Sequence, residues 1–71
     1  MEELLKLSTI LKELREQYGY TQKRVAEMLG LKYQSYQAYE RGLSVPTLSH
    51  FIKLADIYDV SLDCLIGRDK I

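Results

Sequence analysis

The sequence predicts an all-α fold of five short helices, and three observations carry that prediction. Four glycines (Gly19, Gly30, Gly42 and Gly67) and a single proline, Pro46, cut the chain into stretches of helix length. Within those stretches apolar residues recur at helical spacing. Nowhere do apolar and polar residues alternate strictly, so strands are not expected. At 71 residues the chain has the length of one small domain, expected to span residues 1–71.

The first helix is expected between Glu2 and Tyr18. Leu7, Leu11 and Leu14 fall at i, i+4 and i+7 and form its buried stripe. Glu2 and Glu3 put acid at the positive end of the dipole, and Gly19 supplies a left-handed stop. The second helix opens on Thr21, a good N-cap, and runs to Leu29 with Gly30 behind it. Residue 24 is an arginine, so the reciprocal half of a capping box is missing. Val25, Ala26 and Leu29 form the inner face. The third helix is expected from Tyr33 to Arg41, ending at Gly42. Tyr36 and Tyr39 are its apolar side, with Leu31 and Leu43 at the flanks. Gln34, Gln37, Ala38 and Arg41 repeat at i, i+3, i+4 and i+7 on the outer side, which is broad because the helix holds no aliphatic core residue. The fourth helix follows Pro46, takes Thr47 as cap and runs to Tyr58; Leu48, Phe51, Ile52 and Ala55 are its core candidates. The fifth is short, capped by Ser61, with Asp63 near its start, Leu62, Leu65 and Ile66 apolar, and Gly67 as the stop. Residues 68–71 are expected to fray. Leu65, Ile66 and Ile71 either close the core or form a seam between copies.

Composition removes several function classes. Hydrophobic residues make up 46% and charged residues 28%, too apolar for a disordered chain. Ten basic and ten acidic residues give zero net charge, which argues against strong non-specific polyelectrolyte binding and leaves local patches open. No apolar run is long enough to span a membrane, and the acidic start is unlike a signal peptide. One cysteine, Cys64, and one histidine, His50, leave no internal disulfide and no Cys- or His-based metal site. Cys64 reads as a small buried apolar group and His50 as a surface helix residue. There is no Gly-rich phosphate loop, and no nucleophile–base–orienter set is visible. The expectation is a cytoplasmic domain with no cofactor and no enzymatic activity.

Residues 22–41 are the informative stretch. A small residue at Ala26 lets the third helix cross close over the second. Gly30 takes the positive φ that a tight helix-to-helix turn needs. Tyr36 plugs the space between the two helices. Two helices packed steeply across a short turn make a helix-turn-helix, here at residues 21–41, and its second helix fits a major groove.

The run TQKRVAEMLGLKYQSYQAYERG, the following P-T-L, and the later KLADIYDVSLDCLIG together resemble the lambda-repressor-like, XRE-type helix-turn-helix family. The resemblance extends from Leu7 to Gly67. It implies a compact five-helix DNA-binding domain, usually dimeric, usually a transcriptional repressor bound to a palindromic double-stranded operator. It also implies roles. Gln22 matches a phosphate-contacting glutamine that buttresses the reading helix. Tyr33, Gln34, Gln37 and Ala38 occupy base-facing positions. Lys32, which stands where the family often has a Ser or Thr cap, is placed to reach a phosphate. Arg41 and Ser44 fall where the family touches the sugar-phosphate backbone. Arg15 and Glu40 match the pair that ties the first helix to the end of the third. Tyr36 is bulkier than the family's usual Ile or Val and is expected to open the helix crossing slightly.

Residue chemistry agrees with these roles. Glutamine pairs with adenine through N6 and N7, and Ala38 offers a surface for a thymine methyl. A carboxylate at Glu40 opposes the helix dipole, and a cation such as Arg15 offsets that. Between residues 15 and 46, five basic residues (Arg15, Lys23, Arg24, Lys32 and Arg41) stand against three acidic ones (Glu16, Glu27 and Glu40), a surplus of +2. Residues 1–14 and 47–71 each come to −1. Lys23 and Arg24 read as a solvated face. The near-neutral total and the apolar C-terminal end also fit an antitoxin-like or adaptor module whose main partner is a protein.

Overall fold

The computed structural model describes residues 2–68, with the side chains of residues 6–68. It is all-helical among those residues: α1 Glu2–Tyr18, α2 Gln22–Leu29, α3 Tyr33–Glu40, α4 Leu48–Tyr58 and α5 Leu62–Leu65. The expected acid at Glu2 and Glu3, the expected fraying of residues 69–71 and the role of Ile71 lie outside the described residues and side chains.

The expected caps form. Thr21 Oγ1 accepts the Arg24 N–H at 3.0 Å, Thr47 Oγ1 the His50 N–H at 3.2 Å, and Ser61 Oγ the Cys64 N–H at 3.0 Å. Each satisfies one donor that a helix start leaves over. Lys32, the N-cap of α3, makes no side-chain cap hydrogen bond. At the turn between α2 and α3, Gly30 sits at φ +71°, and Leu31 N–H reaches back to the Ala26 carbonyl at 2.9 Å. That left-handed step reverses the chain within three residues and sets α3 against α2.

α3 packs on α1 and α2; α4 touches α1, α2 and α5; α5 closes against α1 and α4. The core draws Leu7 and Leu11 from α1, Val25, Ala26 and Leu29 from α2, Tyr36 and Tyr39 from α3, Leu54, Ala55 and Tyr58 from α4, and Leu65 from α5. Tyr18, at the end of α1, donates its hydroxyl to the Tyr58 carbonyl at 2.7 Å and meets the Tyr58 ring edge-on at 5.4 Å, which joins the ends of α1 and α4.

The structure corrects the inner face of α4. Leu48 and Ile52 are 69% and 45% exposed, whereas Leu54 and Tyr58 are fully buried. α4 carries two overlapping apolar stripes, 48-51-52-55 and 51-54-55-58, and the helix is turned so that the second faces inward. Leu43, expected beside the apolar side of α3, is 68% exposed beyond the end of that helix. Cys64 is only half-buried, because it follows the cap of a one-turn helix at the rim. His50 is half-buried, its Nδ1 lying 3.5 Å from the Tyr39 hydroxyl. α3 ends one residue early, with Arg41 as its C-cap.

Leu54→Ala should therefore cost about 2–5 kcal/mol, the usual range for emptying a buried leucine site. Leu48→Ala should change the stability of the monomer by less than about 0.5 kcal/mol. Urea unfolding of the two variants at neutral pH checks the contrast.

Candidate nucleic-acid interface

The outward side of α3 is the candidate interface, and what holds it is a buried carboxylate. Glu40 closes α3 with a side chain only 2% exposed. Arg15, from α1, donates Nε–H to Oε2 at 2.7 Å and Nη2–H to Oε1 at 3.2 Å. Gln22, the first residue of α2, donates Nε2–H to Oε1 at 2.9 Å. Tyr36, one turn earlier in α3, donates its hydroxyl to Oε2 at 2.5 Å. The remaining Arg15 nitrogen, Nη1, binds the Tyr20 carbonyl at 2.9 Å in the α1–α2 turn. Residues of three helices thus converge on a single anion, and the α1–α2 turn steadies Arg15.

The ionisation follows from these contacts. Burial by itself would raise the Glu40 carboxyl pKa, but the hydrogen bonds from Arg15, Tyr36 and Gln22 outweigh it and hold the group below the ordinary carboxylate range. The hydrogen bond to Glu40 raises Arg15 in turn. Burial first, and the bond to Glu40 second, raise Tyr36. Burial pushes the Tyr58 phenol up to about 12.

The network runs on to the surface. Tyr33, the first residue of α3 and 42% exposed, donates its hydroxyl to Gln22 Oε1 at 3.3 Å. Gln37 donates Nε2–H to the same hydroxyl at 3.2 Å. Of the residues expected to face bases, Tyr33 and Gln34 are exposed and Gln37 and Ala38 half-buried. Of those expected to meet phosphates, Lys32, Arg41 and Ser44 are exposed and Gln22 is half-buried within the network. Arg15 and Glu40 are paired as expected. Sequence reasoning treated Tyr36 as a plug alone and missed its hydroxyl. It also missed the Tyr33–Gln37 contact. The i, i+4 spacing of 36 with 40 and of 33 with 37 was the available signal.

An open hollow lies beside this network, where the end of α1 meets the starts of α2 and α3. Arg15, Tyr20, Thr21, Gln22, Lys23 and Tyr33 line it. Among the described residues no group of His, Cys, Asp or Glu is placed to hold a metal ion, and no helix is long and apolar enough to cross a membrane.

Comparison with known proteins bears on the family and the fold. Residues 11–63 match the family model described as helix-turn-helix. The HTH-type transcriptional regulator ImmR of Bacillus subtilis is 39% identical over 67 residues, covering 94% of this chain and 53% of ImmR. The cryptic phage CTXphi transcriptional repressor RstR of Vibrio cholerae is 34% identical over 64 residues, covering 90% of this chain and 57% of RstR. The chain therefore spans about half the length of these curated relatives. In fold it is similar to the restriction-modification controller protein C.AhdI of Aeromonas hydrophila, known from a crystal structure. The TM-score is 0.80 at 31% identity, over 92% of this chain and 98% of that one.

Two outcomes follow for stability. Arg15→Met leaves the Glu40 charge buried with its cation gone and should cost about 3–5 kcal/mol. Because the folded Glu40 pKa lies below the unfolded value, its stabilisation is complete above an unfolded pKa of about 4.3 and is lost as pH falls through the folded value. Unfolding free energies between neutral pH and pH 3 should show that loss in the parent chain. In Glu40→Gln the same scan should lack it.

Proposed function

Because the chain belongs to the lambda-repressor-like, XRE-type helix-turn-helix family, we propose that it is a sequence-specific double-stranded DNA-binding transcriptional regulator, most simply a repressor, that reads the major groove with α3. One observation carries this reading. α3 buries Tyr36 and Tyr39 and turns Tyr33 and Gln34 to solvent, with Gln37 and Ala38 only half-covered. A helix fixed on one side and polar on the other is what base reading requires.

In this reading Gln34 and Gln37 address base edges, Ala38 meets a thymine methyl, and Tyr33 stands at the groove entrance. Gln22, Lys32, Arg41 and Ser44 meet the backbone, with Lys23 at the hollow beside the α2 N-terminus, where free N–H groups favour an anion. The protein works in the cytoplasm, takes no cofactor and catalyses no reaction.

We place two copies on a palindromic operator, with their α3 helices about 34–36 Å apart in successive grooves. Leu43, Val45, Leu48, Ile52 and Leu62 are large exposed apolar side chains, and they support association with a second copy. These side chains would serve a different protein partner if the protein is an antitoxin-like or adaptor module.

Gln34→Ala should cost about 1–3 kcal/mol on the selected site and almost nothing on random duplex at the same salt. Equal losses on both would remove Gln34 from base reading. Ile52→Lys should leave the monomer folded and abolish dimers in sedimentation with and without operator. A parent chain that stays monomeric under both conditions, and retains a stoichiometric protein partner instead, would favour the adaptor reading.

A further inference from the structure

The hydrogen bonds that link Glu40 to the surface have a direction, and each link sets the next. Glu40 is an ionised carboxylate that accepts four hydrogen bonds and donates none. Gln22 must therefore turn Nε2 toward it, and Gln22 Oε1 points the other way. That oxygen takes the Tyr33 hydroxyl proton. Having given its proton, the hydroxyl presents only lone pairs to its other neighbour, so Gln37 must offer it Nε2. Gln37 Oε1 then has no partner among the described residues, on the half-open outer side of α3.

We propose, building on the DNA-reading function above, that Tyr33 is a specificity-determining positioning residue. It holds the Gln37 amide with its oxygen outward, so that Gln37 favours adenine over guanine and thymine. Adenine presents an N6 donor and an N7 acceptor in the major groove. Gln37 Oε1 accepts from N6, and the second Nε2 hydrogen, the one Tyr33 does not take, donates to N7. Guanine presents two acceptors, O6 and N7, and thymine presents O4, so in the held orientation the second Nε2 hydrogen still finds an acceptor but Gln37 Oε1 meets no donor. To serve either with the orientation reversed, Gln37 would turn its oxygen onto Tyr33. The Tyr33 proton would then have to swing away from Gln22, leaving Gln22 Oε1 unpaired beside a buried anion. Cytosine satisfies the oxygen and offers nothing to the second hydrogen. Orientation is thus dictated from the protein interior, through two glutamines and a phenol, to the base edge.

The test is selection from a random duplex pool with the full chain and with Tyr33→Phe, followed by affinities for sites differing at the base pair that Gln37→Ala makes indifferent. Position 33 is exposed, and a thermal melt checks that the variant stays folded. The parent chain should prefer adenine there. Tyr33→Phe should lower the adenine-over-guanine preference at that pair by about two- to tenfold, the worth of one hydrogen bond. The change should be largest at the pair that Gln37 addresses. An unchanged preference in Tyr33→Phe overturns the proposal while leaving the DNA-reading function standing. A parent chain that selects no sequence overturns both. A DNA-free readout stands beside these: the Gln37 and Gln22 side-chain amide signals in the NMR spectrum should move in Tyr33→Phe, and signals that stay in place overturn the relay.

Discussion

A single buried carboxylate organises this domain. Moving a carboxylate out of water costs several kcal/mol even after relaxation, and a cation alone does not repay that unless the remaining lone pairs are filled. At Glu40 they are filled, by Arg15, Gln22 and Tyr36. The directional nature of these bonds matters more than their sum. Apolar packing would hold α3 near α1 and α2 but would tolerate some rotation of the helix about its axis. A carboxylate gripped from three sides tolerates much less. The placement also resolves a local conflict, since an acid at a helix C-terminus opposes the dipole and Arg15 supplies the opposing charge.

α3 could not stand without such support. It has eight residues, no side-chain cap at Lys32, and only two buried side chains, both tyrosines. A helix that short is marginal in water, so its order comes from tertiary contacts. Two of them act at opposite ends. Glu40 anchors the C-terminal end, and the Tyr33 hydroxyl on Gln22 ties the first turn to the first residue of α2. Gln22 belongs to both anchors, because its amide spans from Glu40 to Tyr33. The bulk of Tyr36 is used as well. The side chain is fully buried in the core, and its hydroxyl delivers the shortest of the bonds to Glu40.

Helix boundaries were legible because punctuation residues act locally. Thr21, Thr47 and Ser61 cap as their hydroxyls dictate, and Gly19, Gly30 and Gly67 take the positive φ expected of helix stops. The Arg15–Glu40 pair was legible from the family resemblance and from the electrostatic misfit of an acid at the helix end. The facing of α4 was not. Leu48, Phe51, Ile52, Leu54, Ala55, Ile57 and Tyr58 cover so much of its circumference that periodicity alone does not choose an inner side. Packing chose it: with Tyr58 placed against Tyr18, Leu54 turns inward and Leu48 and Ile52 turn out. Asp59 adds an ending the sequence did not announce, a non-glycine residue at φ +51°, which aspartate tolerates better than most side chains. The direction of the Gln22 and Gln37 amides was beyond reach for another reason. It depends on which neighbour is a pure acceptor, and that is settled only when Glu40 is seen among its donors.

Charge and geometry together place limits on a DNA-reading role. Residues 15–46 carry a surplus of only two positive charges, and the pairing of Arg15 with Glu40 removes one charge of each sign and leaves that surplus as it is. A domain with so small a surplus would gain little from counterion release on a duplex. In the proposed role its non-specific grip on a duplex would be correspondingly weak, and discrimination would rest on directional contacts at base edges. Directional contacts reward a reading helix whose side chains arrive already oriented, because each amide that must be turned and held at the moment of binding spends part of the affinity it brings. On the proposed reading, the Glu40 network would do that orienting in the free protein, through Gln22 and Tyr33 to Gln37. A buried anion is a costly way to stabilise a small domain, and the more reasonable account of its presence here is that it fixes the rotation of α3 and, through Gln22 and Tyr33, the direction of the Gln37 amide.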